Sequence, residues 1–171
     1  SKPDFLQVSG AQAVAEACRK DLPPADALTR TVGGVGPVVM REAAWMAFGG
    51  ETSLLADELD EQQKEALAKA FDELRARHAA GGVPAAVRLP QPDGGEKPVE
   101  FSFFAPGQYG PGAKVTTYPS YSEMLEDYYA TKDRAERLRQ KSRELYKAVH
   151  NMHERAVRKQ AARREELAQS T

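Results

Sequence analysis

TVGGVGPVVMREAA, residues 31–44, places three glycines within four positions and follows them directly with a proline and an apolar helical pattern. Ordered glycine costs more backbone entropy than any other residue, so such a cluster indicates a tight turn or the close approach of another group. Pro37 suits the first position of a helix, where its missing N–H costs no hydrogen bond. The stretch therefore predicts a turn that leads into a helix.

Two short helical patterns precede this turn. Ser9 is a good N-cap for a first helix over residues 11–22, which ends at a double proline. Pro24 opens a second helix over residues 24–32, which stops at the first glycine of the turn.

Two further helices follow the turn, over residues 38–48 and 61–80, and Asp60 caps the second of them. Apolar residues recur at helical spacing in both and predict their buried faces. These residues are Val39, Ala43, Met46 and Ala47 in the first helix, and Leu67, Ala70, Phe71 and Leu74 in the second.

The glycines match a helix-hairpin-helix pattern, in which an apolar residue between two glycines joins two helices. We expect positive φ at the glycines, an apolar Val35 packed into the hairpin, and outward-facing N–H groups at the start of the second helix. Such N–H groups bind phosphate oxygens without reading bases. The predicted backbone-binding residues here are Gly34, Val35, Gly36, Arg30 and Arg41. The alternative is a plain αα-corner that keeps its glycines for packing.

Strand patterns begin after residue 82. Residues 85–89 and 99–104 alternate at period two around a turn-rich spacer and predict a hairpin, and residues 114–118 predict a third strand. The fold class is therefore α+β, mainly α: a helix-hairpin-helix bundle, a small antiparallel sheet of about three strands and a long C-terminal helix. The predicted domains are residues 1–82, 83–119 and 120–171.

The long helix begins near Ser122 and contains no Gly or Pro over residues 122–167, a length of roughly 70 Å. A lone helix of this kind needs a partner. A heptad seam runs along it, and we expect the ascending arm of a longer antiparallel coiled coil. We predict that two copies of this chain pair through the seam in concentrated solution. The seam residues are Leu138, Ser142, Leu145, Val149, Met152 and Ala156.

Charge is distributed unevenly along the chain. Residues 131–166 hold twelve Lys or Arg and six Asp or Glu, whereas the whole chain has a net charge of -1. A basic arm on an acidic body places polyanion contacts on the arm. The candidate backbone-binding arginines are Arg134, Arg137, Arg139 and Arg143. The alternative is a solvated helix with i,i+4 ion pairs.

Few features indicate chemistry beyond binding. The single Cys18 excludes an internal disulfide and suits a cytoplasmic protein, and no apolar run approaches the ~20 residues of a membrane span. His150 and His153 share a helix face without a third convergent ligand. We therefore predict no enzyme activity, no cofactor, no metal and no membrane contact.

The chain resembles the NFACT family, which includes the bacterial RqcH proteins and their eukaryotic relative NEMF. Three stretches carry the resemblance: LTRTVGGVGPVVMREAA, EFSFFAPGQYGPGAKVTTYPS and, above all, the long-helix segment that begins YSEMLEDYY. The helix start Ser-x-x-Leu-x-x-Tyr-Tyr and the following Asp-Arg-x-x-x-x-Arg-Gln-x-Ser run are its most specific parts. The matching residues are Ser122, Leu125, Tyr128, Tyr129, Asp133, Arg134, Arg139, Gln140 and Ser142.

The resemblance implies a ribosome quality control factor that binds the large ribosomal subunit, through its rRNA, and tRNA. In that family the full-length protein supports C-terminal alanine tailing of stalled nascent chains. The resemblance also implies that this chain begins after a first lobe and ends before a further RNA-binding module. Two other functions stay open: a surface adhesin, as the family name fibronectin-binding protein A suggests, or a structural coiled-coil scaffold. Salt separates RNA binding from an apolar helix interface, because phosphate contacts weaken steeply with ionic strength.

Overall fold

The computed structural model describes residues 1–51 and 53–170, which form five α-helices, one 3₁₀ turn and three strands. The architecture is α+β and mainly helical, with a small antiparallel sheet and a long C-terminal helix, as predicted. The elements are α1 (Gly10–Ala17), α2 (Pro24–Thr31), α3 (Pro37–Phe48), the 3₁₀ turn (Ala56–Glu58), α4 (Glu61–Ala79), β1 (Ala85–Pro90), β2 (Glu96–Ser102), β3 (Lys114–Thr117) and α5 (Tyr121–Gln169).

The predicted start signals begin the first four helices. Ser9 and Asp60 each accept a hydrogen bond from the N–H three residues later, at 3.2 and 2.8 Å, and a glutamine at that position bonds back to the cap. Pro24 and Pro37 occupy the first helical positions. Local chemistry alone therefore located these helix starts.

Helix α1 ends at Ala17, and its predicted extension to Leu22 is wrong. The Lys20 N–H bonds to the Ala17 carbonyl at 3.1 Å, so the chain turns instead of continuing the helix. A residue that precedes proline is disfavoured in helical conformation, and Leu22 precedes Pro23. The residues between α1 and α2 therefore turn the chain toward the start of α2.

One apolar core holds α1 to α4 together. The predicted stripe of α4 is buried throughout, and the Phe71 ring meets the Phe5 ring edge-on with centroids 5.0 Å apart. On α3, Val39 and Ala43 are buried, while Met46 and Ala47 are half-buried against the same core. The N-terminal segment also joins this core, because Phe5 is only 1% exposed.

The three strands form an antiparallel sheet in the order β2-β1-β3. Strand β2 begins three residues earlier than predicted because the hairpin turn is tight: the Gln91 N–H bonds to the Gly95 carbonyl at 2.8 Å. It also ends earlier, since the Ser102 hydroxyl donates to the Phe104 carbonyl and the chain leaves the strand there.

The first turns of α5 pack on this sheet. Met124 and Tyr128 are buried, and the Tyr128 ring lies edge-on to Phe101 with centroids 5.0 Å apart. The Tyr118 hydroxyl and the Arg88 guanidinium both donate to the Asp127 carboxylate. Burial raises the pKa of Tyr118, and its hydrogen bond to Asp127 acts in the same direction.

The chain divides into two compact units, Ser1–Tyr129 and Ala130–Thr171. The first unit contains α1 to α4, the sheet and the start of α5, and the second contains the rest of α5. The predicted domain boundaries after residues 82 and 119 stay predictions.

Candidate nucleic-acid interface

The turn between α2 and α3 has the hairpin geometry that the glycines predict, but with one glycine in the left-handed region. Gly34 has φ +89°, whereas Gly36 has φ −78° and is the N-cap of α3. Among the glycines of this turn, positive φ is therefore confined to Gly34. Gly33 instead pairs with the N-terminal segment, donating to the Pro3 carbonyl and accepting from the Phe5 N–H, both at 2.9 Å.

Backbone donors at this turn are free. In the described part of the chain, no acceptor takes a hydrogen bond from the N–H groups of Gly34, Val35 and Gly36. Val35 is half-buried against the core, so its backbone is held in place. A Cβ added at Gly36 would meet no atom within 4 Å. The start of α3 thus presents oriented donors beside open space, which is the arrangement that binds phosphate oxygens.

Charges around the turn have both signs. Arg30 is exposed on the last turn of α2, and the Lys2 ammonium donates to the Thr29 carbonyl at 3.2 Å. The Asp4 carboxylate lies beside the glycines, because a Cβ at Gly34 would stand 2.5 Å from its Oδ2. The turn is therefore only weakly positive through its side chains, and its backbone supplies the directional donors.

The Arg41 side chain, which the sequence predicts near the turn, lies on α3 and is engaged by residues outside the turn. Its guanidinium donates to Gln108 Oε1 at 3.0 Å and lies 3.6 Å from Glu100 Oε2. The neighbouring Glu42, only 3% exposed, accepts hydrogen bonds from the Gly107 and Gln108 N–H groups at 2.9 and 3.2 Å. These two residues hold the loop over residues 105–113 on α3, a role that neither motif nor spacing predicted.

The four candidate arginines of the arm are not brought together. At 100° per residue, Arg134 and Arg137 lie on one side of the helix, and Arg139 and Arg143 lie on the other. Arg137 pairs with Asp133 and Arg139 with Glu136, both at 2.9 Å. The charge of these two arginines is therefore partly neutralised by acids on their own turns.

A better candidate surface lies further along α5. Residues 155–164 contain five basic residues and no acidic residue, and they are exposed. Four of the five fall within an arc of about 140° of the helix. None of the four has an ion pair within the described residues. We call them the distal basic stripe: Arg155, Arg158, Lys159 and Arg163. The absence of acids from this stretch is a property of the sequence alone.

The predicted seam is exposed along the second unit. Leu138, Leu145, Val149 and Met152 each expose more than half of their side-chain surface. The adjacent residues Lys132, Arg134, Arg139 and Lys141 occupy the positions that flank a two-helix interface. The seam is therefore apolar at its centre and basic at its edges over this stretch.

The histidines do not form a metal centre in residues 1–51 and 53–170, where no three His, Cys, Asp or Glu side chains cluster. The His150 ring stacks on Tyr146 with centroids 6.2 Å apart, and its Nε2 lies 3.9 Å from Glu154. His78 lies in the last turn of α4 and packs edge-on against Phe103 with centroids 4.6 Å apart. Of the helices described, none is long and apolar enough to cross a membrane.

Comparison with known proteins identifies the family of this chain. The family model of the NFACT N-terminal and middle domains matches residues 1–171. No curated protein matches the chain. Because the match extends over the whole chain, the protein belongs to the NFACT family.

Proposed function

We propose that this chain is the nucleic-acid-binding middle part of a ribosome quality control factor. It contacts the rRNA of the large ribosomal subunit and tRNA during rescue of stalled nascent chains, and the full-length protein supports C-terminal alanine tailing. The NFACT family is in general linked to RNA and ribosome-associated quality control. On this proposal the chain is a cytoplasmic binding protein and not itself an enzyme.

The observation that carries the proposal is the unpaired backbone at the start of α3. The N–H groups of Gly34, Val35 and Gly36 point to no acceptor in the described part of the chain, and Gly36 leaves the space above them open. A phosphate oxygen satisfies these donors and gains from the positive end of the α3 dipole. Such contacts hold RNA without selecting a sequence, which suits a factor that acts on many stalled ribosomes.

The distal basic stripe supports a second contact with RNA. Its four cations are exposed and lack ion pairs within the described residues, so binding a phosphate breaks no existing pair. Arginine adds bidentate geometry to its charge, and three of the four are arginines. The proposal therefore assigns the stripe, rather than the four arginines predicted from sequence, the larger share of the arm's RNA affinity.

The seam needs a helical partner, and in a solution of this chain alone we propose a second copy. Pairing would bury Leu138, Leu145 and Met152, which are otherwise exposed to water. The basic flanks repel one another in such a pair, so the association is weak at low salt.

The experiment is binding of this chain to purified large ribosomal subunits and to tRNA, with Gly36→Ala as the test variant. Gly36 has φ −78° and no neighbour within 4 Å of an added Cβ, so alanine is compatible with the fold. Gly112→Ala is the matched control, because Gly112 is equally open and has no positive φ. Gly34→Ala is a poorer test, since its φ of +89° and Asp4 would strain the folded chain.

We expect the added Cβ of Gly36→Ala to obstruct the approach of the phosphate to these N–H groups and to weaken binding on the order of tenfold, about the effect of losing a hydrogen bond to a charged group. Gly112→Ala should bind like the unmodified chain. Equal binding by all three proteins would remove the turn from the interface and leave the distal basic stripe as the remaining contact.

A further inference from the structure

A cleft opens directly beside the hairpin turn, within the first unit. Its volume is about 680 Å³. The backbone of Gly34, Val35 and Gly36 forms one wall, and Phe101, Phe103 and Tyr121 contribute aromatic surface elsewhere. The free N–H groups of the turn and these aromatic rings therefore border the same space.

The aromatic lining is held in place by its own contacts. The Tyr121 hydroxyl donates to the Gly81 carbonyl at 2.9 Å, yet the side chain remains 41% exposed. Phe103 is fixed by the edge-on contact with His78 described above. A ring that is already ordered loses little entropy when another flat group stacks on it. The cleft is thus prepared for a planar ligand.

We propose that this cleft takes an unpaired nucleobase of the RNA whose phosphate lies on the Gly34–Gly36 turn. The inference rests on the proposed function, since it assumes that RNA reaches the turn. A nucleotide matches both walls at once: its phosphate accepts from the backbone donors, and its base stacks on aromatic surface. A purely apolar ligand would leave the donors of the turn without acceptors.

The lining also predicts what kind of RNA is preferred. Stacking tolerates any base because every base has a π-face, so the cleft selects unpaired over paired nucleotides rather than one sequence over another. The Glu100 carboxylate lies at the cleft and already has Arg41 at 3.6 Å. The negative charge of Glu100 repels a second phosphate, so the base is the part of the nucleotide that fits the cleft.

The test uses a short RNA hairpin with one bulged 2-aminopurine and the same hairpin fully paired. Tyr121→Leu removes the aromatic face, together with the hydroxyl that donates to Gly81, and keeps an apolar side chain. Tyr129→Leu is the matched control, because Tyr129 is a 54% exposed tyrosine of the same helix that does not line the cleft. Circular dichroism on each variant checks that the fold is retained.

We expect the chain to quench the bulged 2-aminopurine, and Tyr121→Leu to weaken binding of the bulged RNA on the order of tenfold. The paired RNA should bind both proteins equally, and Tyr129→Leu should change neither. Equal binding of the bulged RNA by Tyr121→Leu, while Gly36→Ala still weakens both RNAs, overturns the inference and leaves the proposed function standing. If Gly36→Ala changes neither RNA, the contact at the turn fails, and the inference fails with it.

Discussion

The two units of this chain use the same kinds of side chain in opposite ways. In residues 1–129 two arginines support the fold: Arg75 donates to the Val8 carbonyl at 2.6 Å, and Arg88 donates to the Asp127 carboxylate. In residues 130–170 the side chains of the apolar seam and of the distal basic stripe are exposed. The first unit therefore uses these charged side chains to hold its own elements together, whereas the second leaves the seam and the distal basic stripe exposed.

Helix α5 shows this change within a single element. Met124 and Tyr128 near its start are buried against the sheet, while Leu138 and Leu145 further along are 54% and 66% exposed. The buried turns gain stability from packing, and the exposed turns rely on helix propensity and ion pairs between successive turns.

The largest difference in the free energy of unfolding should separate a truncation in the core from a truncation in the seam. Phe71→Ala removes a fully buried ring and should lower the free energy of unfolding by about 3–5 kcal/mol. Leu145→Ala, at an exposed seam position, should change it by less than about 0.5 kcal/mol. Urea denaturation at low protein concentration measures both. A loss at Leu145 comparable to that at Phe71 would show that the seam is already packed in the isolated chain.

Removing a buried carboxylate should lower the free energy of unfolding much more than removing an exposed one. Glu42→Ala leaves the Gly107 and Gln108 N–H groups without their acceptor and should lower the free energy of unfolding by about 2–3 kcal/mol. Glu154→Ala removes only a 3.9 Å contact with His150 on the exposed helix and should have an effect near zero. Thermal unfolding of the two variants compares them directly. Similar midpoints would contradict the anchoring role of Glu42.

Paired and unpaired arginines of the arm should contribute unequally to RNA binding. Replacing Arg158 and Arg163 by glutamine should lower the slope of log K against log salt by about 1–2, as expected when one or two phosphate contacts are lost. The same replacement at Arg137 and Arg139 removes equal charge but spares the distal basic stripe, so the slope should change little. Equal slopes of log K against log salt for the two double variants would show that the two sets of arginines contribute equally to RNA binding.

Self-association through the seam should become stronger as salt rises, whereas RNA binding should become weaker. The flanks Lys132, Arg134, Arg139 and Lys141 repel one another in a pair of identical helices, and salt screens that repulsion. Sedimentation equilibrium should therefore show dimerisation a few-fold stronger at high salt. Leu145→Asp should abolish it at any salt. A dimer that survives this substitution would have to form through another surface.

Alkaline pH should slightly lower the free energy of unfolding of the first unit. Burial raises the pKa of Tyr118 and Tyr128 above the ordinary value of 10.0. Below pH 10 both residues are protonated in the folded and unfolded chain, so their stabilisation is fully present. As pH rises above 10, the unfolded chain loses these protons first and stability falls. Unfolding curves of Tyr118→Phe should show a smaller fall over this range.

Helix starts and the fold class were predictable from sequence because their causes are local. Ser9, Pro24, Pro37 and Asp60 act on neighbouring backbone groups, and the α4 stripe follows from helical periodicity alone. The position of β2 and the end of α1 were not predictable from sequence. A tight hairpin turn sets the first, and the course of the chain toward Pro23 sets the second.

The candidate site was predictable only where it is made of backbone. The hairpin follows from Gly34-Val35-Gly36, but the placement of Arg41 depends on a loop 67 residues away in sequence. The ion pairs of Arg137 and Arg139 depend on which of several nearby acids each side chain selects. The cleft could not be foreseen either, because the turn, β2 and α5 meet only in the folded unit.

The central claim is that this chain binds RNA through phosphate contacts, and its most direct test is tRNA binding by the unmodified chain across a salt series. The logarithm of the association constant should fall linearly with log salt, by roughly 0.7–0.9 for each phosphate contacted. A slope corresponding to several phosphates would agree with joint use of the turn and the distal basic stripe. A flat binding curve between low and high salt, or no binding at any salt, would contradict the account.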